Sequence, residues 1–203
     1  MEQNLNNKKE NKNNPMYKLF NYIEKYAHSK YKIHILFWVC FFEQSFSLIP
    51  PDILIVPIAM YKKYTALKVA LFASFATMLG GLVTYALAYY YGQAMIDYFS
   101  LQSFLETTRI AYNDNVFWAM FFAAFTPIPD KIFTILGGAF KVALFPMLAA
   151  LFLGKFIRYY IVGYIAENYG ERARDVILKR MNIFLLYMSL SILIIILLYY
   201  KLR

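Results

Sequence analysis

Apolar residues run along this chain in long stretches that prolines and charges interrupt at a few points. Val69 to Tyr91 is 23 residues without a formal charge, and Asn182 to Tyr200 is a second such run of 19. As helices they would be about 35 Å and about 28 Å long, which suits a hydrocarbon core of roughly 30 Å. Two further stretches are broken. Ile33 to Ile49 is apolar around Glu43 and stops at Pro50-Pro51, and Ile53 to Met60 is apolar again and stops at Lys62-Lys63. Val116 to Phe125, the turn Pro127-Ile128-Pro129-Asp130-Lys131 and Ile132 to Phe140 repeat that arrangement. Each piece alone is too short to span. Each pair reads either as one broken transmembrane helix or as a re-entrant hairpin with its tip at the prolines.

The two broken stretches are in register. An offset of 78 residues pairs Pro51 with Pro129, Asp52 with Asp130, Lys63 with Lys141, Ala88 with Ala166, and Tyr91-Gly92 with Tyr169-Gly170. A register kept from the turn to the end of the following helix points to a duplicated unit. Proline removes a helical hydrogen bond and an ionised carboxylate is costly in hydrocarbon. A chain that sets both at membrane depth, twice, is expected to build a polar site between broken helices.

Charge placement bears on the choice between hairpins and spanning segments. With two hairpins, the amino terminus, Lys62, Lys63, Lys68 and the basic residues of the 171–180 connector share one side, and the 92–115 loop, with Arg109 as its only base, lies opposite. Full spans would mix the two sets, so the positive-inside rule favours hairpins and a cytoplasmic amino terminus. Each unit then crosses once, which inverts the second unit and brings the two tips together near the midplane. The expected fold is an all-α integral membrane protein. Residues 1–16 form a disordered tail and 17–33 an amphipathic interfacial helix. A membrane domain over 34–170 contains repeat units 34–92 and 116–170. A connector and a carboxy-terminal transmembrane helix occupy 171–203. The first thirty positions lack the apolar stretch and cleavage site of a signal peptide.

Composition agrees. The chain of 203 residues is 61% hydrophobic and 16% charged, too apolar for an ordinary soluble domain. Tyr89-Tyr90-Tyr91, Tyr159-Tyr160 and Tyr199-Tyr200 fall near segment ends, where aromatic belts anchor helices. The net charge of +9 sits at the ends and in short connectors, without a nucleic-acid-binding motif. The single Cys40 leaves no internal disulfide and no cysteine metal cluster, and His28 and His34 have no partner at ligand spacing.

Six charged residues lie inside apolar stretches: Glu43, Asp52, Asp130, Lys131, Lys155 and Arg158. Three acids and three bases can be neutral as a set. One such charge alone costs roughly 2.5–3.5 kcal/mol at mid-membrane on insertion scales, so these residues pair with each other or face a watery cavity. Lys155 and Arg158 are three apart on one helix and share a face. They serve either a site or a bundle-locking salt bridge. Gly80-Gly81, Gly137-Gly138 and Gly154 read as close-packing positions. No nucleophile–base pair, zinc spacing or phosphate-binding loop is present, so neither an enzyme, a metal site nor a cofactor is expected.

At these residues the chain resembles the DedA family of bacterial membrane proteins, also called the VTT or SNARE-associated domain family, and its YqaA-like branch in particular. The resemblance spans about residues 35–170. It rests on Glu43 upstream of Ile49-Pro50-Pro51-Asp52, the Gly80-Gly81 helix ending in Tyr91-Gly92, the Thr126-to-Lys131 turn before Gly137-Gly138, and Gly154-Lys155 followed by Arg158. It implies facing re-entrant hairpins, a bacterial inner-membrane location, and a role in lipid homeostasis with polyprenyl-phosphate or phospholipid and protons as partners. The family's membrane-embedded acidic pair maps onto Glu43 and Asp52. Its second turn usually carries two arginines, of which Lys131 stands for the later one, while Ala124-Phe125-Thr126 holds no base at the earlier. The leading expectation is a proton-coupled transporter or flippase for an anionic lipid or small anion, and the alternative is a non-transporting scaffold.

The hairpin topology predicts that cysteines placed at 62–64 in a Cys40→Ser background react with a membrane-impermeant thiol reagent from the cytoplasm, and cysteines at 106–114 from outside. Reaction of 62–64 only from outside would remove the first hairpin.

Overall fold

The computed structural model describes residues 29, 31–45, 51–60, 65–126 and 129–170. The expected tail, most of the 17–33 helix, Pro50, Pro127, Lys62-Lys63 and everything from 171 onwards lie outside the described residues. Among them the chain forms six α-helices and no strand. These are α1 (Lys32–Ser45), α2 (Asp52–Met60), α3 (Ala66–Tyr98), α4 (Leu105–Phe125), α5 (Asp130–Ala139) and α6 (Leu144–Tyr169), with a short 3-10 turn at Gln102–Phe104 before α4.

Among the described residues, two helices are long and apolar enough to cross a membrane, α3 with 33 residues and α6 with 26. Their outward residues along the middle of each helix are apolar. Leu71, Phe72 and Phe75 on α3 and Leu153, Ile157 and Ile161 on α6 are exposed. A soluble helix buries its apolar face and solvates the other, so this pattern suits a lipid surroundings.

α3 and α6 pack antiparallel at the centre. Glu167 near the end of α6 accepts a hydrogen bond from the Ala66 N–H at the start of α3, at 2.9 Å. At the other end Tyr85 donates to the Val142 carbonyl at 2.7 Å, just before α6 begins. The four remaining helices dress this pair in a regular way. α1 lies along α3, with Leu36 and Cys40 among Val69, Ala70, Ala73 and Ala76. α4 lies along α6, with Met120 and Ala124 against Met147, Ala150 and Leu151. α2 crosses over to α6 through Val56 and Ala59 against Ala166, and α5 crosses to α3 through Ile135 and Leu136 against Ala88. Ala88 and Ala166 are the residues that the 78-residue offset pairs.

The register recurs in the helix starts. Asp52 and Asp130 open α2 and α5, and Ala66 and Leu144 open α3 and α6, each pair 78 residues apart. Pro51 and Pro129 stand immediately before the short helices, a position that needs no intrahelical donor. Ahead of the tips the offset becomes 80. Phe37-Trp38-x-x-Phe41-Phe42 on α1 matches Phe117-Trp118-x-x-Phe121-Phe122 on α4. Trp38 stacks on Phe42 at 5.7 Å and 27°, and Trp118 on Phe122 at 5.8 Å and 28°. The two-residue shift therefore falls in the stretch between arm and tip.

Two boundaries differ from the sequence expectation. α3 does not end at Tyr91-Gly92: it kinks at Tyr91 (φ −120°, ψ 29°) and continues to Tyr98. The extension is held because Ile96 and Leu101 bury against Ile135 and Leu136 of α5. The 92–115 loop is likewise largely helical, since Leu105 to Asp114 forms the first part of α4. Asn115 breaks the helical backbone there, and its side-chain oxygen accepts from the Trp118 N–H at 3.1 Å, which starts the apolar arm afresh at Val116. α6 does stop at Tyr169, where Gly170 takes φ +50°.

Close approach explains two glycines directly. A Cβ at Gly80 would meet the Phe41 carbonyl oxygen of α1, and one at Gly154 would lie 2.8 Å from the Phe121 carbonyl oxygen and 2.9 Å from Ala124 Cβ of α4. Alanine is the better helix former by about 1 kcal/mol, but forcing these helix pairs apart costs about 1–3 kcal/mol. Gly80→Ala and Gly154→Ala are therefore expected to lower the thermal unfolding temperature in detergent. Unchanged unfolding in both would mean that neither contact limits packing.

Candidate functional site

The starts of α2 and α5 meet α6 near its middle. Asp52 is the first residue of α2 and Asp130 the first of α5, so each carboxylate sits at the positive end of a short helix. Both are buried, at 6% exposure. Lys155 and Arg158 project from α6 on one face, and each reaches a different aspartate. Lys155 Nζ lies 3.0 Å from Asp130 Oδ1, and Arg158 Nη2 lies 2.7 Å from Asp52 Oδ2. The basic side chains of α6 are thus paired with the acids of both short helices.

The two pairs differ in access. The Lys155 side chain is 4% exposed and that of Arg158 is 26% exposed, while both carboxylates stand at 8%. Arg158 also donates through Nη1 to the Thr126 carbonyl at 3.2 Å, at the carboxy-terminal end of α4. One guanidinium therefore ties the start of α2 to the end of α4. Arginine's planar fork suits two acceptors at once in a way that an ammonium does not.

A neutral network joins the same elements. Gln44 near the end of α1 is fully buried and donates through Nε2 to Thr134 Oγ1 of α5 at 3.0 Å. Thr134 in turn donates to the Asp130 carbonyl at 3.1 Å. Thr84 of α3 donates to the Gln44 carbonyl at 3.1 Å, and Ser45 to the Gly80 carbonyl at 3.3 Å. Gln44, Thr84 and Thr134 were not candidates from sequence. Uncharged polar residues in an apolar run carry a weak signal, and the partners of Gln44 are 40 and 90 positions away.

Glu43 is the remaining acid and lies within electrostatic reach of Lys155, Asp130, Lys131 and Asp52. Lys131, half-buried, follows Asp130 on α5 and lies within reach of Glu43 and Asp130. The structure thus brings Glu43, Asp52, Asp130, Lys131, Lys155 and Arg158 into one region of balanced charge. Among the described residues, buried oxygens in this region without a hydrogen-bond partner include Glu43 Oε2, Gln44 Oε1, Asp52 Oδ1 and Asp130 Oδ2. A buried acceptor left unsatisfied costs about 1–3 kcal/mol. Protons or the donors of a ligand would remove that cost. Among the described residues no cluster of histidine, cysteine and carboxylate could hold a metal ion.

The unequal burial of the pairs predicts unequal mutational costs. Lys155→Met strands Asp130 in a sealed site and is expected to cost about 3–5 kcal/mol of stability, with partial recovery in Lys155→Met/Asp130→Asn. Arg158→Met removes a partly exposed base whose place water can take, and is expected to cost less. Chemical denaturation in mild detergent measures both, and equal losses would contradict the difference in access.

The sequence model of the VTT domain matches residues 49–168, more than half of the chain, and covers both aspartates and both bases of α6. An uncharacterized protein of Haemophilus influenzae is 28% identical over 151 residues, which cover 73% of this chain and 79% of the relative. A protein of Histophilus somni, also described only as uncharacterized, is 29% identical over 157 residues, with coverages of 76% and 82%. No solved structure matches the chain. Two helices able to cross a membrane, an outward apolar surface and the match over 49–168 lead to one conclusion: the chain belongs to the VTT domain (DedA) family of membrane proteins.

Proposed function

We propose that the protein is a proton-coupled transporter or flippase that moves an anionic lipid or small anion across the bacterial inner membrane. The observation that carries this reading is the set of paired charges and unpartnered carboxylate oxygens near the middle of α6. Lys131, Lys155 and Arg158 supply the attraction for an anion, while Glu43, Asp52 and Asp130 each keep an oxygen free to take a proton. Moving one elementary charge across 100 mV is worth about 2.3 kcal/mol, enough to drive such a step.

The same reading takes α1–α2 and α4–α5 as re-entrant hairpins in an inverted repeat, with the amino terminus cytoplasmic. Helix lengths support it. α2 and α5 have 9 and 10 residues, about 14 and 15 Å, half of what a crossing needs. Directions support it too. α2 runs with α6 and α5 with α3, α1 runs with α3 and α4 with α6, and α3 opposes α6. Each short helix therefore runs back against the arm before it. The two tips end against the middle of α6, which suits a site at the membrane midplane.

One observation favours a second reading. Both aspartates already have a base at hydrogen-bond distance, so the charges could serve only to lock a scaffold. Translocation of polyprenyl-phosphate or phosphatidylglycerol in proteoliposomes, with and without a pH gradient, separates the two. The transport reading expects gradient-dependent movement, lost in Asp52→Asn and Asp130→Asn variants that remain folded. A wild-type protein that moves neither lipid leaves the scaffold.

Lys131 gives a further test. In the transport reading, Lys131→Met folds normally and loses translocation, while Lys131→Arg retains part of it, since a guanidinium also binds phosphate. In the scaffold reading Lys131→Met loses stability and regains part of it when Glu43 is also neutralised. Wild-type folding and transport in Lys131→Met would remove this lysine from both.

A further inference from the structure

The Arg158 guanidinium is shared between two acceptors. Its guanidinium holds Asp52 of α2 at 2.7 Å and the Thr126 carbonyl at the end of α4 at 3.2 Å. Its side chain is 26% exposed, whereas Lys155 is closed in at 4%. Asp52 uses one oxygen on Arg158 and leaves Oδ1 buried without a partner. The pair is thus open at its base and under-bonded at its acid.

We propose that Arg158 is an exchange residue, at which the phosphate group of a ligand displaces Asp52. The inference rests on the transport reading for its use, but the exchange itself is a binding property. A phosphate group presents more oxygens and at least as much charge as a carboxylate, and a guanidinium binds it in the same fork geometry. When the ligand takes the guanidinium, Asp52 keeps its place at the start of α2 and loses its counter-charge. A buried carboxylate without a counter-charge takes up a proton from solution. Among the described residues, the charged and titratable groups around it are Arg158 and Tyr159 on α6 and Glu43 and Cys40 on α1. Of these only Arg158 is a base. One proton therefore enters with one anion. The same displacement withdraws Arg158 from the Thr126 carbonyl, so the ligand loosens the tie between the two tips at the moment it binds.

Lys155 offers no such exchange. Its amine is enclosed and meets a carboxylate of the helix that Gln44 also fastens through Thr134. Of the two ion pairs, Arg158–Asp52 is the one open to exchange.

The experiment is calorimetric titration of the full chain in phosphatidylcholine nanodiscs with two probes, inorganic phosphate and dihexanoyl phosphatidylglycerol. The second is a phosphate diester whose charge stays constant between mildly acidic and mildly alkaline pH. Exchange expects wild-type affinity for the diester to rise as pH falls, because protonation of Asp52 frees Arg158. Asp52→Asn should bind on the order of tenfold to a hundredfold tighter, the equivalent of one competing charge-assisted hydrogen bond, and lose the pH dependence. Should Asp52→Asn not fold, Asp52→Ser, which keeps an uncharged acceptor for Arg158, replaces it. Arg158→Gln should abolish binding and Arg158→Lys retain a weakened form. Binding of inorganic phosphate alone marks a soluble anion, and binding of the diester alone a lipid headgroup. Both outcomes support the exchange. Unchanged or weaker affinity in a folded Asp52 variant, wild-type affinity in Arg158→Gln, or no binding of either probe to any variant overturns it. Translocation measured on the same preparations keeps the readings apart: exchange without translocation removes the transport reading alone, and translocation without the affinity gain removes the exchange alone.

Discussion

Charge pairing on a helix with apolar flanks is the constraint to which the rest of the architecture answers. Lys155 and Arg158 interrupt a 26-residue helix whose outward side chains are Leu153, Ile157 and Ile161. Neither base can stay there without an acid beside it, and α6 carries none nearby. The acids come from the first residues of α2 and α5, and a first residue can reach the middle of α6 only if its helix begins there. Short helices starting at mid-length, prolines immediately before them and a chain that turns back on itself follow from that one requirement. The same tips then have to sit close to α3 and α6, which explains why Gly80 and Gly154 admit no side chain where α1 and α4 pass.

Much of this was legible in the sequence because proline, charge and apolar length are strong signals. The tips at Pro51-Asp52 and Pro129-Asp130, the long helix around Gly80-Gly81 and the six charges were all visible as departures from an apolar background. The pairing was not. Sequence spacing shows that Lys155 and Arg158 share a face, yet which aspartate each takes depends on the crossing of α2 and α5 onto the opposite long helices. The polar contacts of Gln44 with Thr134 and Thr84 were hidden for the same reason, since an isolated glutamine or threonine in an apolar run has no periodicity to betray it. The continuation of α3 past Gly92 was missed because a Tyr-Gly step resembles a helix end. Burial of Ile96 and Leu101 against α5 overrides that local preference. The second aromatic motif escaped notice because its offset is 80 where the rest of the repeat keeps 78.

The repeat is close in backbone and unequal in chemistry. The positions 78 residues before Lys131, Lys155 and Arg158 are Ile53, Thr77 and Gly80, so all three bases belong to the second unit while each unit contributes one tip aspartate. Thr77 donates to the Ala73 carbonyl of its own helix, and Gly80 gives its place to α1. The first unit therefore holds a buried acid that it cannot neutralise by itself. Asp52 finds its counter-charge only on α6, across the interface with the other unit. Two copies of the first unit would gather acids without bases, and two copies of the second would set both a Lys155 and an Arg158 against every tip aspartate. The two halves thus depend on each other at the ion pair that is more open to solvent. The arrangement leaves one guanidinium, partly exposed and already occupied by Asp52, where the start of α2 meets the end of α4.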